Sequence, residues 1–200
     1  MLRSTWTVAG RLYWKGIVAD LYSQKLRYIE SKRLRLIAAT GELVDSDLEG
    51  KGKLAGALGV AVPDNWPPEL YDRNAMNFAA TQLKDLAEQR WSFWYLVHTQ
   101  SDPEELLGIC GFKGRPNKAG SVEIGYSVLR QFRNSGYATE AASRLVEWAF
   151  GHPNVTEICA ETLPHLKESI RVLEKNGFSF TGQGSEHGVI RYAMRRSNLD

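Results

Sequence analysis

Residues 122–141 read VEIGYSVLRQFRNSGYATEA, and the interpretation of this 200-residue chain turns on them. The first part alternates with a period of two. Glu123, Gly125 and Ser127 fall on one face of a strand, and Val122, Ile124, Tyr126 and Val128 on the other. From Tyr137 the period changes. Ala141, Ala142, Leu145, Val146 and Ala149 form one helical stripe, Ser143, Arg144 and Glu147 face away, and Glu140 can pair with Arg144 one turn on. Between strand and helix lies Arg133-Asn134-Ser135-Gly136. A strand that turns tightly into a helix presents unpaired N–H groups and the positive end of the helix dipole to whatever lies in front, so such a turn suits an anion. Gly136 allows close backbone approach, Ala138 keeps the first helical turn small, and Arg130 and Arg133 add charge.

Two well-known anion cradles do not fit. A P-loop needs Lys and Ser or Thr after its second glycine, whereas Gly136 is followed by Tyr-Ala-Thr. The dinucleotide fingerprint G-x-G-x-x-G needs three glycines where this turn has one, and GQGSEHG at 182–188 has the wrong spacing and lies between late strands. What remains, Arg133-x-x-Gly136-x-Ala138, would cradle a pyrophosphate.

Outward from this stretch, Leu34, Leu36 and Ala38 alternate with Arg33, Arg35 and Ile37 in a strand. Residues 42–58 have helical composition interrupted by Gly50, Gly52 and Gly56. VPDNWPPEL (62–70) is a Pro-rich loop, and 70–88 predicts a helix with Met76, Ala80, Leu83 and Ala87 on one face. WSFWYLVHT (91–99), LLGICGFKG (106–114) and SVEIGYSVL (121–129) form a three-stranded meander. After the 137–150 helix come a strand at 155–162, a helix at 167–175 stopped by Asn176-Gly177, and strands at 178–182 and 188–196. The expected order is strand, two helices, three strands, helix, strand, helix, two strands, with no internal repeat.

Composition sets bounds. Hydrophobic residues are 43% and charged residues 24%, and the formal net charge is +2, so no overall field points to nucleic acid or a membrane surface. No segment is long and apolar enough for a signal peptide or a bilayer span, and a cytoplasmic location is the default expectation. Cys110 and Cys159 sit in apolar runs as buried reduced thiols. His98, His152, His165 and His187 lack metal-ligand spacing, and no metal is expected. Residues 1–30 show no clear period, apart from a small helical face from Tyr13, Trp14 and Ile17. They are read as an extension of unknown role before a single domain at 31–200.

Arg-x-x-Gly-x-Ala after EIGYSV, followed by SIRVLEKNGF, resembles the GCN5-related N-acetyltransferase (GNAT) superfamily, nearest to the branch of ribosomal-protein N-terminal alanine acetyltransferases. The resemblance covers roughly residues 31–196. It implies a mixed α/β GNAT fold: a splayed, mostly antiparallel sheet of about seven strands with helices on both faces. It also implies acetyl-CoA as acetyl donor, its pantetheine arm entering beside backbone donors at Ser127 and Val128. Arg133, Asn134, Ser135, Gly136, Tyr137, Ala138 and Thr139 would hold its pyrophosphate.

Acetyl transfer needs a neutral amine, and a free primary amine is protonated at neutral pH, so a carboxylate that takes its proton is useful. Glu123, beside the bare Gly125 on the cofactor strand, is the candidate base, and family members carry a glutamate base at the matching position. Its bland alternative is a solvated edge carboxylate. Ser169 matches a family serine and is the candidate donor near sulfur, with a helix cap as its alternative. Two departures stand out: Leu173 replaces the usual acid tyrosine, and Leu166 replaces an asparagine on the cofactor arm. The resemblance places Trp66 and Tyr71 in the segment that walls the acceptor site, against a hydrophobic plug as the alternative. The expected partners are acetyl-CoA and a primary amine acceptor, a protein N-terminus or a small molecule, reacting directly in a ternary complex of a monomer or homodimer. Asp64, Glu69 and Asp72 lean towards a cationic acceptor. The rival reading is a CoA-binding sensor without turnover.

Overall fold

The computed structural model describes residues 27–196, so the face formed by Tyr13, Trp14 and Ile17 lies outside the described residues. One sheet of eight strands runs β1 (Tyr28–Glu30), β2 (Leu34–Ala38), β3 (Phe93–His98), β4 (Glu105–Phe112), β5 (Ser121–Val128), β6 (Glu157–Thr162), β8 (Ile190–Arg195), β7 (Ser179–Gln183). Each neighbouring pair is antiparallel except β5 and β6. The sheet begins at Tyr28, inside the segment read as an extension, which makes eight strands rather than about seven. The helices are α1 (Gly41–Glu49), α2 (Lys51–Leu58), α3 (Arg73–Gln82), α4 (Tyr137–Phe150) and α5 (Lys167–Lys175).

The helix expected over 42–58 is two helices. Gly50, at φ 130° and ψ 167°, breaks the hydrogen-bond ladder that Thr40 starts by accepting from the Leu43 amide at 3.2 Å. The helix expected over 70–88 is shorter. Asp72 caps it, accepting from the amides of Asn74 (2.9 Å) and Ala75 (3.0 Å), and turns follow Leu83, leaving Ala87 outside it.

The sheet separates two cores. On one face Leu34, Leu36 and Trp94 meet Ala141, Leu145 and Ala149 of α4, joined by Leu173 of α5. On the other, Ile37, Tyr95 and Val97 meet Val44, Leu54, Leu58 and Met76 of α1 to α3. Fully burying an aliphatic or aromatic side chain of this size stabilises the fold by about 1.5–3 kcal/mol, so the α4 stripe alone ties that helix to the sheet. The second core includes no residue of β6, β7 or β8, so α1 to α3 cover only the β2–β4 half of their face.

Candidate active site

Strand β5 changes neighbours along its length. Against β6 it pairs only at Ser121, Val122 and Glu123, opposite Glu157, Ile158 and Cys159. Against β4 the pairing runs on through Ile124 to Val128, while β6 continues with β8 through Thr162. The two strands therefore part after Glu123. The ladder with β4 includes Lys113 N–H donating to Glu123 O (2.9 Å) and Leu129 N–H to Leu107 O (2.9 Å). By strand alternation the amides of Gly125 and Ser127 turn to β4, and those of Tyr126 and Val128 face the opening. Of the two expected backbone donors, Val128 has its amide on the open side. The Tyr126 ring is half-buried against the α4 core, and its hydroxyl reaches across to α5, donating to Ser169 O at 3.0 Å with Ser169 Oγ at 3.2 Å. Burial pushes the Tyr126 phenol up to about 12, against the hydrogen bond to Ser169.

At the end of β5 the chain makes a 3₁₀ turn (Arg130–Phe132) and enters the cradle. Asn134 (φ 60°) and Gly136 (φ 82°) are left-handed, and the first helical bond runs from Glu140 N–H to Gly136 O (3.0 Å). Among the described residues, none of the amides from Asn134 to Thr139 donates a hydrogen bond to another protein group. A Cβ on Gly136 would sit 3.4 Å from an Arg33 guanidinium nitrogen. Arg33 donates to Ser135 O (3.0 Å), lies 4.4 Å over the Tyr137 ring and pairs with Glu140 (2.7 Å). Burial alone would raise the Glu140 carboxyl, but hydrogen bonds from Ser31 and Arg33 and the charge of Arg33 outweigh it and hold it low. Beside this turn a cleft of about 660 Å³ is lined by Gly136, Thr139, Ser143, Arg144, Lys175 and Asn176 among others.

The Pro-rich loop lies against the same strand. Glu69 accepts from Arg130 (2.6 and 2.8 Å) and Arg133 (2.9 Å), which together hold its carboxyl low. Its backbone oxygen accepts from Ser127 Oγ at 2.5 Å, and Asn65 and Gln131 exchange amide hydrogen bonds. Arg133 also donates to Val128 O at 2.9 Å. Trp66 and Tyr71 are buried, 6% and 2% exposed. Trp66 Nε1 donates to Asp47 Oδ1 (2.8 Å), Tyr95 donates to Asp47 Oδ2 (3.1 Å), and Tyr71 OH lies 3.4 Å from Tyr95 OH. Burial pushes the Asp47 carboxyl up, opposed by these hydrogen bonds. The two aromatics thus have the geometry of the plug and present no open face to an acceptor.

Glu123 sits on the face that α1 to α3 leave uncovered. Paired residues of adjacent strands share a face, so Ser121, Glu123 and Gly125 lie alongside Glu157, Cys159 and Glu161 of β6 and Arg191 and Arg195 of β8. Glu123 is 24% exposed and forms an ion pair with the Lys113 ammonium. Gly125 is exposed, with nothing within 4 Å of an added Cβ. Ser169 lies on α5, on the opposite side of the opening. It is not the helix cap, because Leu166 holds that position and makes no side-chain capping bond. Leu173 is buried in the α4 core, 1% exposed. Both thiols are buried and free, and burial raises both above the ordinary cysteine value. Among the described residues no group of His, Cys, Asp and Glu could hold a metal ion, and no helix is long and apolar enough to cross a membrane.

Three neighbours of the site went unread in the sequence, and a fourth was read for a different part. Tyr126 has the parity of a core residue, Arg33 lies just before β2 and Lys113 just after β4, and Glu69, which leaned towards a cationic acceptor, instead meets Arg130 and Arg133, 61 and 64 residues on. The pairing of β4 with β5 sets Lys113 beside Glu123, the packing of α5 brings Ser169 to Tyr126, and the fold of the Pro-rich loop brings Glu69 to the arginines.

Comparison with known proteins agrees with this fold. The uncharacterized N-acetyltransferase YjdG of Bacillus subtilis (strain 168) is 28% identical over 159 residues, 80% of this chain and 94% of its own. Among solved structures, a ribosomal-protein-S5-alanine acetyltransferase from Vibrio fischeri superposes with a TM-score of 0.61 at 14% identity, covering 87% of this chain and 99% of that one. RimL, a ribosomal L7/L12 α-N-protein acetyltransferase solved in complex with coenzyme A, gives 0.60 at 16% identity, covering 84% and 98%. At such identities the likeness is one of fold. Residues 50–179, which contain the parting strands and the cradle, match the model of the acetyltransferase (GNAT) domain, and the chain belongs to that family of acyltransferases, which act with acetyl-CoA.

Proposed function

We propose that this enzyme moves an acetyl group from acetyl-CoA directly to a primary amine in a ternary complex. The observation that supports this most strongly is the row of amides from Asn134 to Thr139 without partners among the described residues, at the end of a strand that has parted from its neighbour. That donor set, with Gly136 bare and Arg33, Arg130 and Arg133 around it, suits a pyrophosphate. The Val128 amide would receive the pantetheine arm in the opening, and the cleft with Arg144 and Lys175 would take the nucleotide end.

The acceptor reaches the thioester from the uncovered face, over Gly125. Glu123 takes the proton of the ammonium, so the neutral nitrogen can form its bond to the acetyl carbon. As the C–S bond breaks, the departing sulfur takes a proton from the Tyr126–Ser169 hydroxyl pair across the opening. Tyr126 suits that part because its hydroxyl crosses the opening to Ser169, and Leu173 on the same helix as Ser169 supplies no hydroxyl. The raised thiol values of Cys110 and Cys159 support direct transfer over a cysteine relay.

Calorimetric titration of acetyl-CoA, paired with thiol release over an amine and peptide panel, tests the reading. Glu123→Gln should leave cofactor affinity within about twofold and lower kcat by about 10²–10⁴, the range for removal of a general base. Wild-type turnover in that variant would remove Glu123 from the mechanism.

A further inference from the structure

The charges on the uncovered sheet face are almost all satisfied among themselves. Glu157 accepts from Ser121 (3.2 Å), Arg191 (3.3 Å) and Arg195 (3.1 Å). Glu161, whose side chain is 8% exposed, accepts from Ser185 N–H (2.9 Å) and Oγ (2.6 Å) and faces Arg191 at 3.7 Å. The simplest pair on the face is Lys113–Glu123. Among the described residues Lys113 has no other ion-pair partner, and its side chain is 67% exposed. Its charge also helps hold the Glu161 carboxyl low, but that carboxylate is already engaged by Ser185 and Arg191.

The three loop carboxylates that leaned towards a cationic acceptor are occupied as well. Asp64 pairs with Lys51 (3.0 Å), Glu69 with Arg130 and Arg133, and Asp72 caps α3.

Lys113 holds Glu123 Oε1, so an acceptor ammonium that reaches Glu123 must share the carboxylate with the Lys113 ammonium or displace it. Either way two ammonium groups stand side by side, and among the described residues the other carboxylates of this face, Glu157 and Glu161, are already engaged. That arrangement becomes favourable when the acceptor brings its own anion to Lys113. We propose that Lys113 is a specificity-determining residue, and that the acceptor is an amine with a carboxylate or similar anion a few bonds away. It anchors the acceptor's anion while Glu123 takes its ammonium. A free amino acid and a polypeptide N-terminus with an acidic side chain next to it share this chemistry. Polyamines and aminoglycosides lack it. The inference rests on Glu123 as the residue that meets the amine.

Matched acceptors test it in the full-length protein: phenylalanine against phenethylamine for the free amino acid, and Ala-Asp-Ala amide against Ala-Asn-Ala amide for the polypeptide. Thiol release gives kcat/KM, and calorimetry in the presence of CoA gives acceptor affinity without turnover. The acid-bearing member of at least one pair should be preferred by about fivefold or more, the upper range for one ion pair at a solvent-exposed position. Lys113→Gln should close that gap from both sides, lowering affinity for the acid-bearing acceptor and raising it for the plain amine. Lys113→Glu should reverse the preference. Equal affinity within both pairs, or a preference unchanged in both variants, overturns the proposal, and acetyl transfer stands if thiol is still released. Preferential binding lost in Lys113→Gln, with no thiol release on any acceptor, would support the anchor and overturn the transfer reading instead.

Discussion

Gly125→Val separates the acceptor path from the stability of the sheet. Gly125 is exposed, has no left-handed φ, and an added Cβ would meet nothing within 4 Å. A β-branched residue suits a strand at such a place, and restricting the unfolded chain stabilises by about 0.4–1 kcal/mol. For a chain of this length that is a rise in Tm of roughly 1–4 °C. Activity should move the other way. Residues two apart on one face of a strand are spaced by about 6.5 Å, so valine stands between Glu123 and Ser127, above the floor over which the amine must approach. A displacement of about 1 Å from the attacking position costs about 100-fold, or about 2.7 kcal/mol of transition-state stabilisation. Differential scanning fluorimetry, calorimetric binding of CoA and a thiol-release assay read the three quantities separately. The expected variant melts at or above wild type, binds CoA with ordinary affinity, and loses about two orders of magnitude in kcat/KM. Gly111→Val, at the residue paired with Gly125, is the contrast: its Cβ would lie 2.3 Å from Phe93 Cα and 2.4 Å from Ser92 O, so it should fail through folding. Wild-type kcat/KM in Gly125→Val would refute the placement of the acceptor on this face.

Three further outcomes follow from named contacts. Asp47→Ala strands two buried donors, Trp66 Nε1 and the Tyr95 hydroxyl, each costing about 1–3 kcal/mol, so Tm should fall by roughly 5–15 °C; Asp47→Asn keeps one acceptor and should lose less than half of that, and a thermal melt of Asp47→Ala overlapping wild type would dismiss the network. Glu140 is held below its ordinary value of 4.5 in the folded protein, so it contributes stability above that pH and loses it as pH falls through the lower folded value; the stability difference between wild type and Glu140→Gln in urea titrations should shrink from pH 6 to pH 3, and a constant difference would contradict the shift. Glu69→Gln removes the carboxylate that competes for Arg130 and Arg133, so calorimetry should show CoA binding tightened by about two- to fivefold; weaker binding would mean that Glu69 supports the cradle instead.

The sequence by itself determined those features whose signals are local. The period change at Tyr137, the single glycine of the turn and the α4 stripe are written within twenty residues, and the cradle, the crossover helix and the mixed α/β class were legible there. Helix ends were less so. Gly50 divides α1 from α2 through its backbone conformation, and α3 stops after Gln82 although Leu83 and Ala87 continue its apolar period, because apolar spacing carries no information about where the backbone turns. For Trp66 and Tyr71 the sequence left a wall of the acceptor site and a hydrophobic plug both open, and only the buried Asp47 shows why both rings turn inward. The tertiary structure decided what surrounds the reacting groups. Register sets Lys113 against Glu123, the parting of β5 from β6 lets Tyr126 reach Ser169, and the fold of the loop sets Glu69 between two arginines. Lys113 and Glu123 face each other across the β4–β5 hairpin, while the other contacts join residues 43 to 64 apart in the chain. All of them depend on distances that strand pairing and loop packing fix and local sequence leaves free.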